Sequence, residues 1–149
     1  MKEMFVTEAF DLAVLSEIKA ASTEHAGFLL GAKVGLFENA IQANRSRALG
    51  EYTAPGYTGY AAVVLTFTAP TIGDDGKPEL VTNTAVFRPS DALGSTTVAR
   101  GVIVTNGAAD ALYAAGNFDV DEPLGKATDE LRIAIIVKAN GKMYFHKVA

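Results

Sequence analysis

The sequence predicts a mainly β protein: an antiparallel β-sandwich or open barrel of about seven strands, preceded by an N-terminal helical arm. Beyond residue 31, segments rich in β-branched and aromatic residues follow one another at short intervals. Three connections contain Asp-Gly or Asn-Gly, the pairs typical of tight turns between antiparallel strands. No helical pattern separates these segments, as a parallel α/β sheet would require. A chain of 149 residues is long enough for one such core.

The first predicted element is a helix over about residues 7–22. Phe10, Val14 and Ile18 recur every four positions, which places them on one face. Thr7 precedes this stripe and is a suitable N-cap residue. The sequence therefore predicts a short amphipathic helix at the start of the chain.

The strands that follow are bounded by Gly, Pro and Asx-Gly turns. The predicted strands cover residues 32–37, 57–67, 80–88, 98–105, 112–118, 131–139 and 142–148. Gly116 is expected to mark a bulge, and residues 119–129 to form a loop. These elements divide the chain into an N-terminal helical arm, residues 1–31, and a β-sandwich domain, residues 32–149.

The strand at 131–139 alternates in a way that separates two faces. Leu131, Ile133, Ile135 and Val137 share one side and belong to the sandwich interior. Ile136 lies on the opposite side, where burying its side chain would contribute about 1.5–3 kcal/mol. We therefore expect part of the outer face to be covered, by the N-terminal helix or by a neighbouring subunit.

Composition excludes several kinds of chemistry. The chain has no cysteine, two histidines and a net charge of −4, and it contains neither a phosphate-binding glycine loop nor a calcium-loop spacing. An acidic chain without a basic stripe is not expected to bind nucleic acid. The longest apolar runs have five residues, and the N-terminus is acidic, so neither a membrane span nor a signal peptide is predicted. We expect no enzyme activity, no cofactor and no metal.

Three tyrosines, Tyr52, Tyr57 and Tyr60, cluster in one region. Tyrosine offers a large apolar area with a polar tip, so the cluster suits carbohydrate stacking or a protein contact. Packing within the sandwich is the favoured alternative.

Two segments carry a family resemblance. Residues 33–39 read Lys-Val-Gly-Leu-Phe-Glu-Asn, and residues 57–61 read Tyr-Thr-Gly-Tyr-Ala. In this order, after a helical N-terminus, they resemble the small virion structural proteins of tailed bacteriophages. The later matching segments are Asp75-Gly76, Ala85-Val86-Phe87, Gly101–Val104, Leu112–Phe118 and Pro123. The likeness runs from about residue 5 to residue 139, and the terminal segment 142–148 departs from it.

The resemblance implies a capsid decoration or cement protein on the head exterior, synthesised in the host cytoplasm and without enzyme activity or cofactor. Its partners would be the major capsid protein and further copies of itself, as a trimer or another closed homo-oligomer. Other locations in the tail, neck or fibre, and a carbohydrate-binding module, are the alternatives. The helix would pack on its own sandwich or on a partner. The expected interface residues are Phe5, Phe10, Val14, Ile18, Tyr52, Tyr57 and Tyr60.

Overall fold

The computed structural model describes residues 1–19, 29, 31–90 and 97–149, and only the backbone of residues 14–19. Two antiparallel sheets pack face to face, which confirms the predicted β-sandwich. In the described residues the elements are β1 Lys2–Glu3, β2 Phe5–Val6, α1 Glu8–Lys19, β3 Lys33–Phe37, a 3-10 turn at Leu49–Glu51, β4 Val63–Val64, β5 Thr71–Ile72, β6 Pro78–Val81, β7 Ala85–Phe87, β8 Val98–Thr105, β9 Leu112–Pro123, β10 Leu131–Lys138 and β11 Met143–Lys147.

The larger sheet has the strand order β1-β11-β10-β6-β5, with β7 also paired to β10. The smaller sheet has the order β2-β9-β8-β3-β4. The strands at the ends of these two orders, β1, β5, β2 and β4, have two residues each. Such short edge strands offer little backbone for pairing with another chain. The described residues thus form eleven strands rather than about seven, because several of the extra ones are these short edge pieces.

The sandwich interior is formed by the inward faces of the longest strands. Ile133 and Ile135 of β10 are fully buried there, together with Val102 and Val104 of β8. This confirms the inner face predicted for β10. On its outer face Ile136 is 6% exposed, between Val81 and Tyr144 in direct register.

The N-terminal residues belong to the sandwich and not to a separate arm, which corrects the division at residue 31. Lys2 and Glu3 pair with β11 of the larger sheet, whereas Phe5 and Val6 pair with β9 of the smaller one. Met4, between them, is 3% exposed and lies in the core. The chain therefore crosses from one sheet to the other at Met4 and joins the two.

Helix α1 starts as predicted and packs on its own chain. The Thr7 hydroxyl accepts a hydrogen bond from the Phe10 N–H at 3.4 Å, so Thr7 is the N-cap. The Phe10 ring is 1% exposed and meets the Tyr113 ring edge-on, with the centroids 5.5 Å apart. The first turns of α1 thus pack on β9 in cis, and the predicted helix end at residues 20–22 lies outside the described residues.

Residues after β3 cover the outer face of the smaller sheet. Phe37, Tyr52 and Leu112 form a second buried cluster there, with Ala43 and Ala115. Asn117 of β9 fastens the covering segment, because its side chain accepts from the Ala43 N–H at 2.7 Å and donates to the Ile41 carbonyl at 2.8 Å.

The predicted strand at 80–88 is divided at Thr82. The Thr82 hydroxyl accepts the Ile135 N–H at 2.9 Å, where a main-chain carbonyl would stand in a regular ladder. As a result β6 pairs with residues 136–138 of β10 and β7 with residues 131–133.

The predicted strand at 57–67 is mostly a turn, with only Val63 and Val64 in a named strand. Gly59 has a φ of +87°, which bends the chain where the aromatic pattern suggested an extended segment. Phe67 adds one isolated bridge to Thr82. Tyr57 of this segment is therefore a buried core residue outside any strand, and Tyr60 and Phe67 are partly buried against the same core.

Strand β9 is longer than predicted and its bulge is elsewhere. Gly116 pairs in register with Val102, so it marks no bulge. The register shifts between Leu112 and Ala114 and again between Asn117 and Glu122, and the strand then continues to Pro123 opposite Val98. Of the loop predicted at residues 119–129, residues 119–123 are therefore a bulged strand end, whereas residues 124–129 form a loop as predicted.

Candidate interaction surface

The acidic residues that follow Phe118 are paired with basic residues. Asp119 accepts a hydrogen bond from the Lys2 ammonium at 2.6 Å, and this bond holds the pKa of the carboxyl below its usual value. Arg100 pairs with Asp121, and Lys147 pairs with Glu122. In the described ranges no three His, Cys, Asp or Glu side chains gather as metal ligands would. No helix in the same ranges is long and apolar enough to cross a bilayer.

The tyrosine cluster is packed inside the chain, as the core-packing interpretation predicts. Tyr57 is 4% exposed, and burial raises its pKa to about 12. Tyr52 is buried edge-on against Phe37, with the ring centroids 5.0 Å apart. Tyr52 and Tyr57 are therefore corrected from interface residues to core residues, and no exposed stacking platform of the three rings exists.

Tyr60 lies between surface and core and has a structural role. Its hydroxyl accepts the Leu36 N–H at 2.9 Å, and its ring stacks on Phe87 with the centroids 6.2 Å apart. Strand β4 pairs only with Lys33 and Val34 of β3, so the Tyr60 hydroxyl provides an acceptor for the Leu36 N–H further along the strand. Tyr60 thus caps a strand edge with its polar tip.

Of the four expected arm residues, only Phe5 is shown to be exposed. Phe10 is corrected to a core residue, because β9 of the same chain buries its ring. The side chains of Val14 and Ile18 lie outside the described part of the chain. Phe5 is 52% exposed although its backbone pairs with Ala115.

Phe5 lies in a shallow depression of about 290 Å³, which we call the Phe5 surface. The alternation along β2 explains the exposure: Met4 and Val6 contact the core, so Phe5 faces outward. The residues lining the depression are Glu3, Met4, Phe5, Val6, Asp11, Arg45, Asn140, Gly141 and Lys142.

Two ion pairs line the depression around Phe5. Lys142 donates to Glu3 at 3.2 Å, and this contact raises the pKa of the Lys142 ammonium. Arg45 pairs with Asp11 and also donates to the Val6 carbonyl at 2.7 Å. A half-exposed aromatic ring within a charged rim is the usual anatomy of the centre of a protein–protein contact.

Sequence reasoning named Phe5 as an expected interface residue but named none of the charged residues around it. Glu3 and Lys142 are brought together by the pairing of β1 with β11, and Arg45 reaches Asp11 from the segment that covers the smaller sheet. These residues are far apart in the chain and belong to no motif. Only the strand order places them side by side.

A second groove of about 330 Å³ lies where β1 and β11 approach the bulge of β9. Its exposed apolar residues are Met1, 68% exposed, and Val120, 74% exposed. The ion pair between Lys2 and Asp119 lies in its lining. This groove has no aromatic ring exposed at its centre, since Phe118 and Phe145 pack edge-on against each other and are buried.

The structure defines the chain as a two-sheet antiparallel β-sandwich with one short N-terminal helix in the described residues. The chain matches no known protein family, no curated protein and no solved structure.

Proposed function

We propose that this chain is a bacteriophage virion structural protein, a capsid decoration or cement protein that stabilises the head through protein–protein contacts. The order of the sequence segments from residue 33 to Pro123 supports the proposal. Its partners are the major capsid protein and further copies of itself in a closed homo-oligomer such as a trimer. It is made in the host cytoplasm and acts on the capsid exterior, without enzyme activity or cofactor.

The observation that carries the proposal is the Phe5 surface. A binding anchor must be exposed before binding and held in place, because ordering a mobile side chain costs part of the binding free energy. The Phe5 backbone is hydrogen-bonded to β9, and the neighbouring Met4 is buried in the core. The ring is thus presented from a fixed position to a partner.

The rim suits a partner surface with mixed charge. Each side of the depression carries one acid and one base, Glu3 with Lys142 and Asp11 with Arg45. Such pairs add little binding energy at an exposed rim but disfavour misaligned or like-charged partners. We propose that the Phe5 ring provides most of the binding free energy and that the charged residues around it determine how the partner is aligned.

Binding to capsid shells tests the proposal. Expanded heads of the encoding phage that lack this protein are mixed with the purified chain, and the bound fraction is measured by co-sedimentation. Phe5→Ala is expected to weaken binding by about 30-fold, which is about 2 kcal/mol for the loss of a central aromatic anchor. Ile72→Ala is the matched control, because Ile72 is 68% exposed on β5. In the larger sheet β5 lies at the opposite end from β1, the strand that precedes Phe5 in the chain.

Three results separate the possibilities. Saturable binding of the parent chain that Phe5→Ala weakens about 30-fold and Ile72→Ala leaves intact supports the proposal. A chain that is strictly monomeric by light scattering and does not bind shells contradicts it. Counting copies per virion distinguishes a head protein from a tail, neck or fibre component, which would be present in far fewer copies.

A further inference from the structure

The chain contains two Asn-Gly pairs, each in a turn between strands. Asn106-Gly107 lies between β8 and β9, and Asn140-Gly141 lies between β10 and β11. Glycine places no side chain beside its own backbone nitrogen, so this nitrogen can approach the preceding asparagine amide. The two pairs share the Asn-Gly dipeptide, but they differ in their hydrogen bonds and in their exposure.

The Asn106 side chain is held by three hydrogen bonds. Its oxygen accepts the Asp110 N–H at 3.0 Å and the Ala111 N–H at 3.1 Å, and its amide nitrogen donates to the Asp110 carboxylate at 2.6 Å. To move toward Gly107, the side chain must break these bonds.

The Asn140 side chain, in contrast, is held by one hydrogen bond. Its oxygen accepts the Lys142 N–H at 3.0 Å, and the residue is exposed. The Gly141 N–H donates to the Lys138 carbonyl at 3.0 Å, so attack requires this turn to open locally. An exposed hairpin end opens at much lower free energy than the core strands.

We propose that Asn140 is a spontaneous modification site, which deamidates in the folded protein much faster than Asn106. The backbone nitrogen of Gly141 loses its proton to water and forms a bond to the side-chain amide carbon of Asn140. Ammonia leaves with the amide nitrogen, and a five-membered succinimide ring remains. Water then opens the ring at either carbonyl and gives aspartate or isoaspartate, so the net reaction consumes one water and releases one ammonia.

The modification changes the Phe5 surface. Asn140 and Gly141 line the same depression as Phe5, Glu3 and Lys142. A new carboxylate there competes with Glu3 for the Lys142 ammonium and adds one negative charge to the rim. The isoaspartate product also lengthens the backbone by one atom within the β10–β11 turn. The deamidation itself does not depend on the proposed capsid function.

The test is incubation of the folded chain at neutral pH, followed by digestion at acidic pH and mass spectrometry of the two Asn-Gly peptides. The two additional hydrogen bonds of Asn106 predict that Asn140 reacts about 30-fold faster, equivalent to about 2 kcal/mol. In concentrated urea both sites are expected to react at similar rates. Asp110→Ala removes the acceptor of the Asn106 amide nitrogen and should accelerate reaction at Asn106 alone.

The rates at Asn140 and Asn106, in the folded chain and in urea, support or overturn the proposal. Selective conversion at Asn140, with isoaspartate in the product and none in an Asn140→Gln variant, supports the proposal. Reaction at Asn106 that equals or exceeds that at Asn140 in the folded chain overturns it. Absence of reaction at Asn140 in the folded chain, while the urea sample reacts, overturns it as well. Shell binding by the parent and by Asn140→Asp then shows separately whether the added charge affects the proposed function.

Discussion

Gly101 of β8 is placed where no other residue fits. A methyl group built on its Cα would stand 2.2 Å from the Gly116 carbonyl oxygen and 2.5 Å from the nearest Phe37 ring carbon. The first of these atoms belongs to the backbone of the neighbouring strand, so it cannot be relieved by a side-chain rotation. Gly101→Ala therefore has to separate β8 from β9 or displace Phe37 from the second buried cluster.

The size of the effect follows from comparison with two other glycines. Overpacking a tight core costs about 1–3 kcal/mol, and a backbone clash belongs at the upper end, so we expect a loss of about 3 kcal/mol for Gly101→Ala. At Gly116 the first contact is a Phe145 ring carbon at 2.9 Å, and a ring that can move predicts a loss of about 1 kcal/mol. Gly56 has no atom within 4 Å, and alanine there should stabilise the chain by about 0.4–1 kcal/mol through the unfolded state.

Urea unfolding followed by far-ultraviolet circular dichroism measures all three variants, since the chain has no tryptophan to report on unfolding. For a chain of this size, the expected loss at Gly101 corresponds to a melting temperature lower by about 10 °C. If Gly101→Ala and Gly56→Ala unfold within about 0.5 kcal/mol of each other, β8 and β9 do not approach at Gly101 as described.

Two further predictions concern the half-buried amide of Asn117 and the buried phenol of Tyr57. Asn117→Ala leaves the Ala43 N–H and the Ile41 carbonyl without their partner, so we expect the free energy of unfolding to fall by about 2–4 kcal/mol. Asn117→Asp keeps the acceptor for the Ala43 N–H, so its loss should be intermediate. Urea unfolding measures both variants. Burial raises the pKa of Tyr57 to about 12, so the folded state keeps its proton when the unfolded state has lost it above pH 10. Stability should therefore fall between pH 10 and pH 12, and less steeply in Tyr57→Phe; an equal slope in the two proteins would contradict this assignment.

The periodicity of the sequence was sufficient for the sandwich and for strands β3, β8, β10 and β11. Strand β10 alternates so regularly that its inner face could be assigned residue by residue, and Thr7 preceding an apolar stripe indicated the start of α1. The division of β6 from β7 was not predictable, because it depends on Thr82 accepting the N–H of Ile135, a residue 53 positions away. Local pattern carries no information on such a partner.

The residues expected at an interface show the same limit. Phe10, Tyr52 and Tyr57 are residue types that are common in protein contacts, but large apolar side chains are equally suited to the interior. In the folded chain all three are buried. Phe5 stayed outside because Met4 and Val6, its neighbours, took the core positions on either side of it. Alternation along a two-residue strand was too short a pattern to detect in the sequence.

The crossing at Met4 places a core residue next to Phe5, the residue of the proposed contact. Because Met4 is buried between the sheets and the residues on either side of it pair with different sheets, the backbone at Phe5 is restrained from both directions. Because this backbone is already ordered, the free energy of burying the ring would be reduced only by the entropy of fixing the side chain and not by that of ordering the main chain. A mobile arm carrying the same phenylalanine would lose part of that free energy in becoming ordered. For the proposed contact, we therefore expect Phe5 to act as an anchor on a fixed backbone and not as part of a flexible arm.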